Sequence, residues 1–525
     1  MFRPLTPGSG RKIACLLPML LMTTPEAAHA QAGSRFHLLE ATIDGIHAEL
    51  RSGRLSCVQL VQAYLNRIAA YDQTGPTLNA VQNVNRDALK QAAQLDTQRK
   101  VSGDGIDPLH CIPILVKDQI DTSFMPTTYG SALFKTFVPE RNATIVDRLH
   151  AAGAIILAKT NMGEFAFAYS GSAFGDCHNA YEPSRSPSGS SCGTGAGIAA
   201  NFAAVGIGED TGGSVRGPAA HNNLVGLRPT LPLVSRAGMF PVTPTRDTVG
   251  PITRTVRDAA ILLDVIAGYD PKDPITAWSF GQVPKTYTSF LVPNGLKGMR
   301  LGVIRVPTDN STDTSTPDYK ETQAAITRAV ADMRVRGAEV IDPIEIPNLK
   351  ELVVKADGGE THEPEAAINE FLARHPNSPV RTFRELADSP VVNARRREGL
   401  KKGVGHTTKE LGHLEETLAR DELRTAVLRV MADNRLDALF HATYDHAPSI
   451  VPKSTPGTNR RLAASLSFPA ISVPGGFFAD GLPIGVEFLA RPFAEGTLFK
   501  AAFDYEQATK HRRPPATVPP LPEEP

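Results

Sequence analysis

The chain has 525 residues, and its 55 Lys and Arg balance its 55 Asp and Glu, so its formal charge is +0 with His neutral. Without a net field there is nothing to draw in nucleic acid or an anionic membrane surface, while the length is ample for a buried core. No stretch reaches the roughly 18 uninterrupted apolar residues of a membrane span, so the expected partner is a small molecule rather than nucleic acid or lipid.

Arg3, Arg11 and Lys12 precede the apolar run Ile13 to Met22, and Ala28-His29-Ala30 offers a small-x-small cleavage site before Gln31. These are the three parts of a secretory signal peptide. Residues 1–30 are therefore expected to be removed and the mature chain to be exported, either periplasmic or secreted. Cys15 would leave with that segment. Cys57, Cys111, Cys177 and Cys192 remain, and an oxidising compartment could pair them in three ways, although at least two read as free buried thiols. There is no C-x-x-C and no H-E-x-x-H, so neither a metal nor another cofactor is expected.

Ile43, Ile46 and Leu50 recur at helical spacing within Glu40 to Leu50, and Ser56 with Gln59 makes a capping box that opens a helix over Val58 to Ile68. Leu78 to Val84 reads as a strand, Ala88 to Gln98 as a helix and Ser102 to Asp107 as a turn. The apolar run from Cys111 to Val116 then delivers Lys117 and Asp118 to the edge of a sheet, where the sites of open α/β sheets tend to lie. In a partly dry pocket a lysine loses its proton easily, so Lys117 could act as a base, with activity rising from acid toward neutral or mildly alkaline pH. A helix over Asn142 to Ala152 and a buried strand over Ala154 to Ala158 continue the alternation of an α/β fold.

Ser186 to Ala220 holds two loops of Gly and Ser, Ser188 to Gly195 and Gly208 to Gly217, on either side of a small-residue helix expected over Gly195 to Ala204. Glycine lets a backbone approach a ligand closely, so such loops can aim several N–H groups and hydroxyls at one point and stabilise an oxyanion. Gly189-Ser190-Ser191-Cys192-Gly193 also fits G-x-S-x-G, the nucleophile elbow, with Ser191 attacking. That motif requires a buried strand before the serine. The preceding HNAYEPSRSPSG, full of Pro, Ser and charge, cannot supply one.

IPILVKD at Ile112 to Asp118, KTNMGEFA at Lys159 to Ala166, the SGSSCGTGAG loop, GEDTGGSVRGPA at Gly208 to Ala219 and GLRPT at Gly226 to Thr230 follow one another along the chain. With DTVGPITRTVRDAA at Asp247 to Ala260, FPAISVPGGF and GLPIGVEFLARPF, they resemble the amidase signature family from roughly residue 40 to 510. The resemblance implies a large mixed, twisted sheet covered on both faces by helices. It also implies hydrolysis of a carboxylic amide through a seryl acyl-enzyme, with Ser214 as nucleophile, Ser190 as proton relay and Lys117 as base. The family's bridging serine follows a cis peptide bond, here Gly189-Ser190. The N–H groups of Thr211, Gly212, Gly213 and Ser214 would form the oxyanion hole. Ser191, Asp210 and Arg216 would support it, the last two either as part of the site or as a structural ion pair. The family usually has Gly where Cys111 stands and Gly-Gly-Ser-Ser-Gly-Gly-Ser where this chain has Ser188 to Thr194, so Cys192 could line the site.

Beyond Asp270, Met299 to Ile304 and Ala338 to Ile341 read as strands, Asp309 to Asp318 as a polar loop and Thr322 to Val335 as a helix. Within an amidase domain spanning 31–511, a charged helical insertion at about 355–435 is expected to cap the substrate pocket, with Ala394 to Lys402 as a solvated face and His441 to Pro448 near the substrate. Residues 512–525 read as a disordered or extended Pro-rich tail. A binding protein without chemistry, or a partner-dependent chain like the amidase component of the tRNA-dependent amidotransferase, are the other readings of the scaffold. The signal peptide speaks against the latter, and retention of Lys117, Ser190 and Ser214 against the former.

Overall fold

The computed structural model describes residues 36–102, 107–357 and 361–525. The expected signal peptide at 1–30 and most of the Ser102 to Asp107 turn lie outside the described residues. The strands are β1 (Val81–Val84), β2 (Pro113–Lys117), β3 (Ile155–Thr160), β4 (Ser170–Gly171), β5 (Gly175–Asp176), β6 (Val205–Asp210), β7 (Val225–Arg228), β8 (Thr248–Thr253), β9 (Arg300–Val303), β10 (Glu339–Ile341), β11 (Ala438–Ala442), β12 (Ala470–Phe477) and β13 (Pro483–Ala490). Among the described residues, eleven of them form one sheet in the order β1-β3-β2-β6-β8-β7-β12-β13-β11-β9-β10, and β4 pairs with β5 apart from it.

The sheet is mixed: β2 runs parallel to β3 and β6, β9 runs parallel to β10 and β11, and the strands between meet antiparallel. Every residue of β2, β3, β6, β8 and β13 is buried. That is the burial of strands covered on both faces, and it explains their continuous rather than alternating apolar character. The α/β architecture expected from the sequence is present.

The capping box at Ser56 and Gln59 forms as expected, opening a helix over Cys57–Tyr71. The small-residue helix is displaced from its expected place. It spans Cys192–Ala199 instead of Gly195 to Ala204, because the chain must turn at Ala200 to Ala204 to enter β6. The helix expected to begin at Thr322 begins at Pro317, where Thr316 caps it by accepting from the Tyr319 N–H. Cys57 and Cys111 form a disulfide that ties this first part of the chain to the approach to β2, while Cys177 and Cys192 are free and buried. Cys111 has φ +63, a left-handed conformation that suits glycine better than a residue with a side chain.

The insertion carries helices Leu349–Asp357, Pro364–Ala373, Phe383–Asp388, Ala394–Gly403 and Leu411–Asp433. Two apolar clusters fasten it. Leu352, Val353, Leu423, Val427 and Met431 pack with Leu439 of β11. Ile368, Phe371, Phe383 and Leu400 pack with Tyr129 and Phe165. The Ala394 to Lys402 stretch is not uniformly solvated, since Arg396 is buried against the Phe165 carbonyl. The tail is extended and folded back: Val518 is buried, the Pro525 carbonyl accepts from the Leu38 N–H, and Arg67 donates to the Val518 and Pro519 carbonyls. No helix among the described residues is long and apolar enough to cross a membrane.

Candidate active site

The C-terminal ends of β2 and β6 lie side by side, and the two Gly-Ser loops close over them. Lys117, the last residue of β2, is fully buried, and its Nζ donates to Ser190 Oγ at 2.7 Å. The Gly189-Ser190 peptide is cis. Ser190, Thr211, Gly212 and Ser214 line one cavity of about 780 Å³. Ser214 Oγ makes no hydrogen bond to Ser190 Oγ. Thus the structure brings Lys117 and Ser190 into contact and sets Ser214 in the same cavity without closing the link between the two hydroxyls.

Lys117 has a second partner, a residue within GEDTGGSVRGPA to which the motif gave no role. Glu209 of β6 places Oε2 2.8 Å from Nζ, and neither side chain has any exposure. Thr211 Oγ1 lies 2.5 Å from Glu209 Oε1 and 2.8 Å from Asp247 Oδ1. Burial pushes both carboxyls above the usual carboxylate range; Lys117 pulls Glu209 partly back and Asp247 pushes it up again. One threonine hydroxyl has one proton to donate. Its contact with both carboxyls is satisfied when one of them is itself protonated.

Within the second Gly-Ser loop, Asp210 accepts from the Gly213 N–H at 2.8 Å and the Val215 N–H at 3.1 Å, and pairs with Arg216 at 3.2 Å and Arg228 at 2.9 Å. Arg216 also pairs with Glu487 at 2.5 Å, and all four side chains are wholly buried. Burial alone would raise the Asp210 carboxyl, but the two guanidiniums hold it well below its ordinary range. Because the Gly213 N–H is taken by Asp210, it is not free for the role expected of it, and three of the four N–H groups expected to form an oxyanion hole remain open to a ligand. The N–H groups of Thr211, Gly212 and Ser214 have no acceptor among the described residues.

Ser191 is buried and locked to β6: its Oγ donates to the Glu209 carbonyl at 3.2 Å and its N–H to the Ser214 carbonyl at 3.3 Å. This is a supporting position, unreachable for a substrate. Cys192 does not line the cavity; its Sγ lies 3.5 Å from the Asn161 carbonyl. Gly189 has no room for a side chain, since a Cβ there would sit 1.8 Å from the Ala168 carbonyl. Arg460 carries no sequence signal either. Its Nη1 donates to Ser188 Oγ, the Gly189 carbonyl and the Gly213 carbonyl at 3.1, 2.9 and 3.0 Å, clasping the two loops together. Gly213, with φ +108, leaves no room for a side chain there, since a Cβ would sit 2.2 Å from Arg460 Cδ. Tyr444, from the stretch expected near the substrate, lies under the Arg460 guanidinium and bonds Ser188 at 2.8 Å.

Fold and catalytic face together define a hydrolase of carbon–nitrogen bonds. The Amidase family profile matches residues 59–499, and the chain belongs to that family, the amidase signature enzymes. A probable amidase of Arabidopsis thaliana is 34% identical over 95% of this chain and 96% of its own length. A glutamyl-tRNA(Gln) amidotransferase subunit from Thermosynechococcus vestitus is 35% identical over 90% of this chain and 99% of its own. Among solved structures, native peptide amidase from Stenotrophomonas maltophilia superposes with a TM-score of 0.84 at 35% identity, covering 91% of this chain and 99% of that one.

Proposed function

We propose that the protein is an exported amidase that cleaves a small carboxylic amide through an acyl-enzyme on Ser214, with Ser190 as relay and Lys117 as base. The observation that carries this reading is the 2.7 Å contact between the buried Lys117 Nζ and Ser190 Oγ, with Ser190 lining the same cavity as Ser214 and the unpaired N–H groups. As the substrate carbonyl settles against the N–H groups of Thr211, Gly212 and Ser214, a rotation of the Ser214 side chain closes the relay; such bonds commonly tighten only in the complex. Ser214 Oγ then bonds to the carbonyl carbon, its proton passes to Ser190, and the Ser190 proton passes to Lys117. The relay reversed delivers a proton to the departing nitrogen, and water repeats the sequence to release the acid.

Lys117 must be neutral to accept that proton. Glu209 is placed to take the extra proton of the ammonium, giving an amine and a carboxylic acid, with Thr211 and Asp247 sharing the proton further. Glu209→Gln leaves the ammonium without a nearby carboxylate to take its proton, so kcat/KM is expected to fall by about tenfold or more while the fold is kept. Parent-level kcat/KM in that variant means that Glu209 has no part in preparing the base.

Brief treatment with a fluorophosphonate, followed by peptide mapping, tests the nucleophile. The expected adduct is on Ser214; an adduct on Ser191, or none, removes this reading. The same spectrum reads the mature N-terminus, where loss of residues 1–30 is expected. The Cys57–Cys111 disulfide supports export, because such bonds persist in oxidising compartments.

A further inference from the structure

The helical insertion gathers three histidines and two glutamates that the amidase chemistry does not use. His362 lies between helices Leu349–Asp357 and Pro364–Ala373; His406 and Glu410 lie on the connector before helix Leu411–Asp433; His413 and Glu416 lie on the first turns of that helix. His362 Nδ1 is 3.2 Å from Glu416 Oε1, and His413 Nδ1 is 3.9 Å from Glu416 Oε2. The His362 and His413 rings are centred 5.9 Å apart. One donor atom from each of His362, His413 and Glu416 falls within 4.8 Å of the others. The three side chains are only 11%, 16% and 14% exposed. Both Nδ1 atoms are buried and lack a hydrogen-bond partner among the described residues, which leaves each free to take a ligand.

On the far side of the His362 ring, Nε2 points toward Glu410 Oε2 at 3.8 Å, and the same oxygen lies 2.8 Å from His406 Nδ1. A carboxylate behind a histidine is what orients a metal-binding imidazole and fixes which nitrogen is free to ligate. With Nε2 protonated toward Glu410, Nδ1 presents its lone pair to the gap shared by His413 and Glu416.

We propose that His362, His413 and Glu416 form a divalent transition-metal site, with Glu410 and His406 as the outer carboxylate–histidine pair. Two imidazoles and one carboxylate with an open fourth position suit Zn²⁺, and also Co²⁺ or Ni²⁺, rather than the all-oxygen preference of Mg²⁺ or Ca²⁺. Closing donor atoms that are up to 4.8 Å apart around a Zn²⁺ ion draws the helix Leu411–Asp433 toward the segment carrying His362. Thr361, beside His362, lines the catalytic cavity. The metal therefore clamps one wall of the substrate cavity without touching Ser214, and its effect falls on KM more than on kcat. This site stands independently of the Ser214 relay.

Sequence periodicity offered no route to it. His406, Glu410, His413 and Glu416 follow one another in a H-x-x-x-E-x-x-H-x-x-E run, but the residue that joins them, His362, comes from a separate segment.

The test is calorimetric titration of ZnCl₂ into the full chain after chelator treatment, with Co²⁺ absorption as a second readout of ligand geometry. The expected result is one Zn²⁺ bound per chain at micromolar Kd or tighter, with visible bands of tetrahedral Co²⁺. His413→Ala and Glu416→Gln are each expected to weaken binding at least tenfold. Glu410→Gln is expected to weaken it by about 10-fold through the His362 ring. His413 and Glu416 are on a helix whose packing residues lie elsewhere, so circular dichroism of these variants should match the parent. Absence of Zn²⁺ binding by the parent at micromolar concentrations, or undiminished binding by the His413→Ala/Glu416→Gln double variant, overturns the proposal.

Discussion

Ser214→Ala is expected to lower kcat/KM for amide hydrolysis by roughly 10⁴- to 10⁶-fold, the range found when one member of a serine triad is removed. Ser190→Ala is expected to fall in the same range, and the double variant little further, because the two hydroxyls act as one relay. Both serines tolerate the change structurally: Ser214 is only partly buried, and alanine at 190 removes one oxygen. Lys117→Ala is less clean. It leaves the wholly buried Glu209 without its counter-charge, so a fall in activity would mix lost chemistry with a damaged floor. Lys117→Ala/Glu209→Gln separates the two: the chemistry stays lost while the buried charge is gone. Steady-state kinetics beside thermal melts make the measurement, and activity within tenfold of the parent for Ser214→Ala or Ser190→Ala would contradict the relay.

Asp210→Asn is expected to destabilise the fold by about 3 to 5 kcal/mol, the loss when one partner of a buried ion cluster is removed and the others remain charged. Asparagine can still accept from the Gly213 N–H, but it turns an NH₂ donor toward Arg216 or Arg228, which are donors only. The urea midpoint should fall with the slope of the transition unchanged. The pH dependence follows from the sign of the shift. The Asp210 carboxyl lies below its ordinary range in the folded state. Its stabilising contribution is therefore complete above the unfolded carboxylate pKa and is lost as pH falls through the lower folded value. The parent should lose stability on acidification over that window, and Asp210→Asn should lose less. A variant as stable as the parent at neutral pH would show that the cluster contributes nothing net. Because Asp210 also holds the turn from Thr211 to Val215, the folded variant should be slower in catalysis as well.

The legible part of this protein is the part written in contiguous residues. The apolar run into Lys117 announced a buried strand ending in a charged side chain, and β2 is that strand. The two Gly-Ser loops announced close approach of backbone and side chains, and they meet over the ends of β2 and β6. Ser56 with Gln59 announced a helix start that the structure reproduces. Helix bounds fared less well where chain reversal overrode propensity, as at Ala200 to Ala204, whose small residues would have continued the helix had β6 not begun at Val205.

What stayed hidden are partners brought from far along the chain. Glu209 is 92 positions from Lys117 and looks in sequence like any charge at a strand end. Arg460 clasps loops 271 and 247 positions away. The pairing of Cys57 with Cys111 was one of several possibilities until the fold set the two side by side. His362 has no local pattern tying it to Glu416. By itself, then, the sequence determined the α/β class and the family and singled out Lys117, Ser190 and Ser214 as candidates, because periodicity and motif spacing are local properties of a chain. Only the tertiary structure decided that Glu209 faces Lys117 and that Asp210 takes the Gly213 N–H. Hydrogen bonds and charges act over a few ångströms of space, and it is the packing of the sheet, not position in the sequence, that brings those groups within reach.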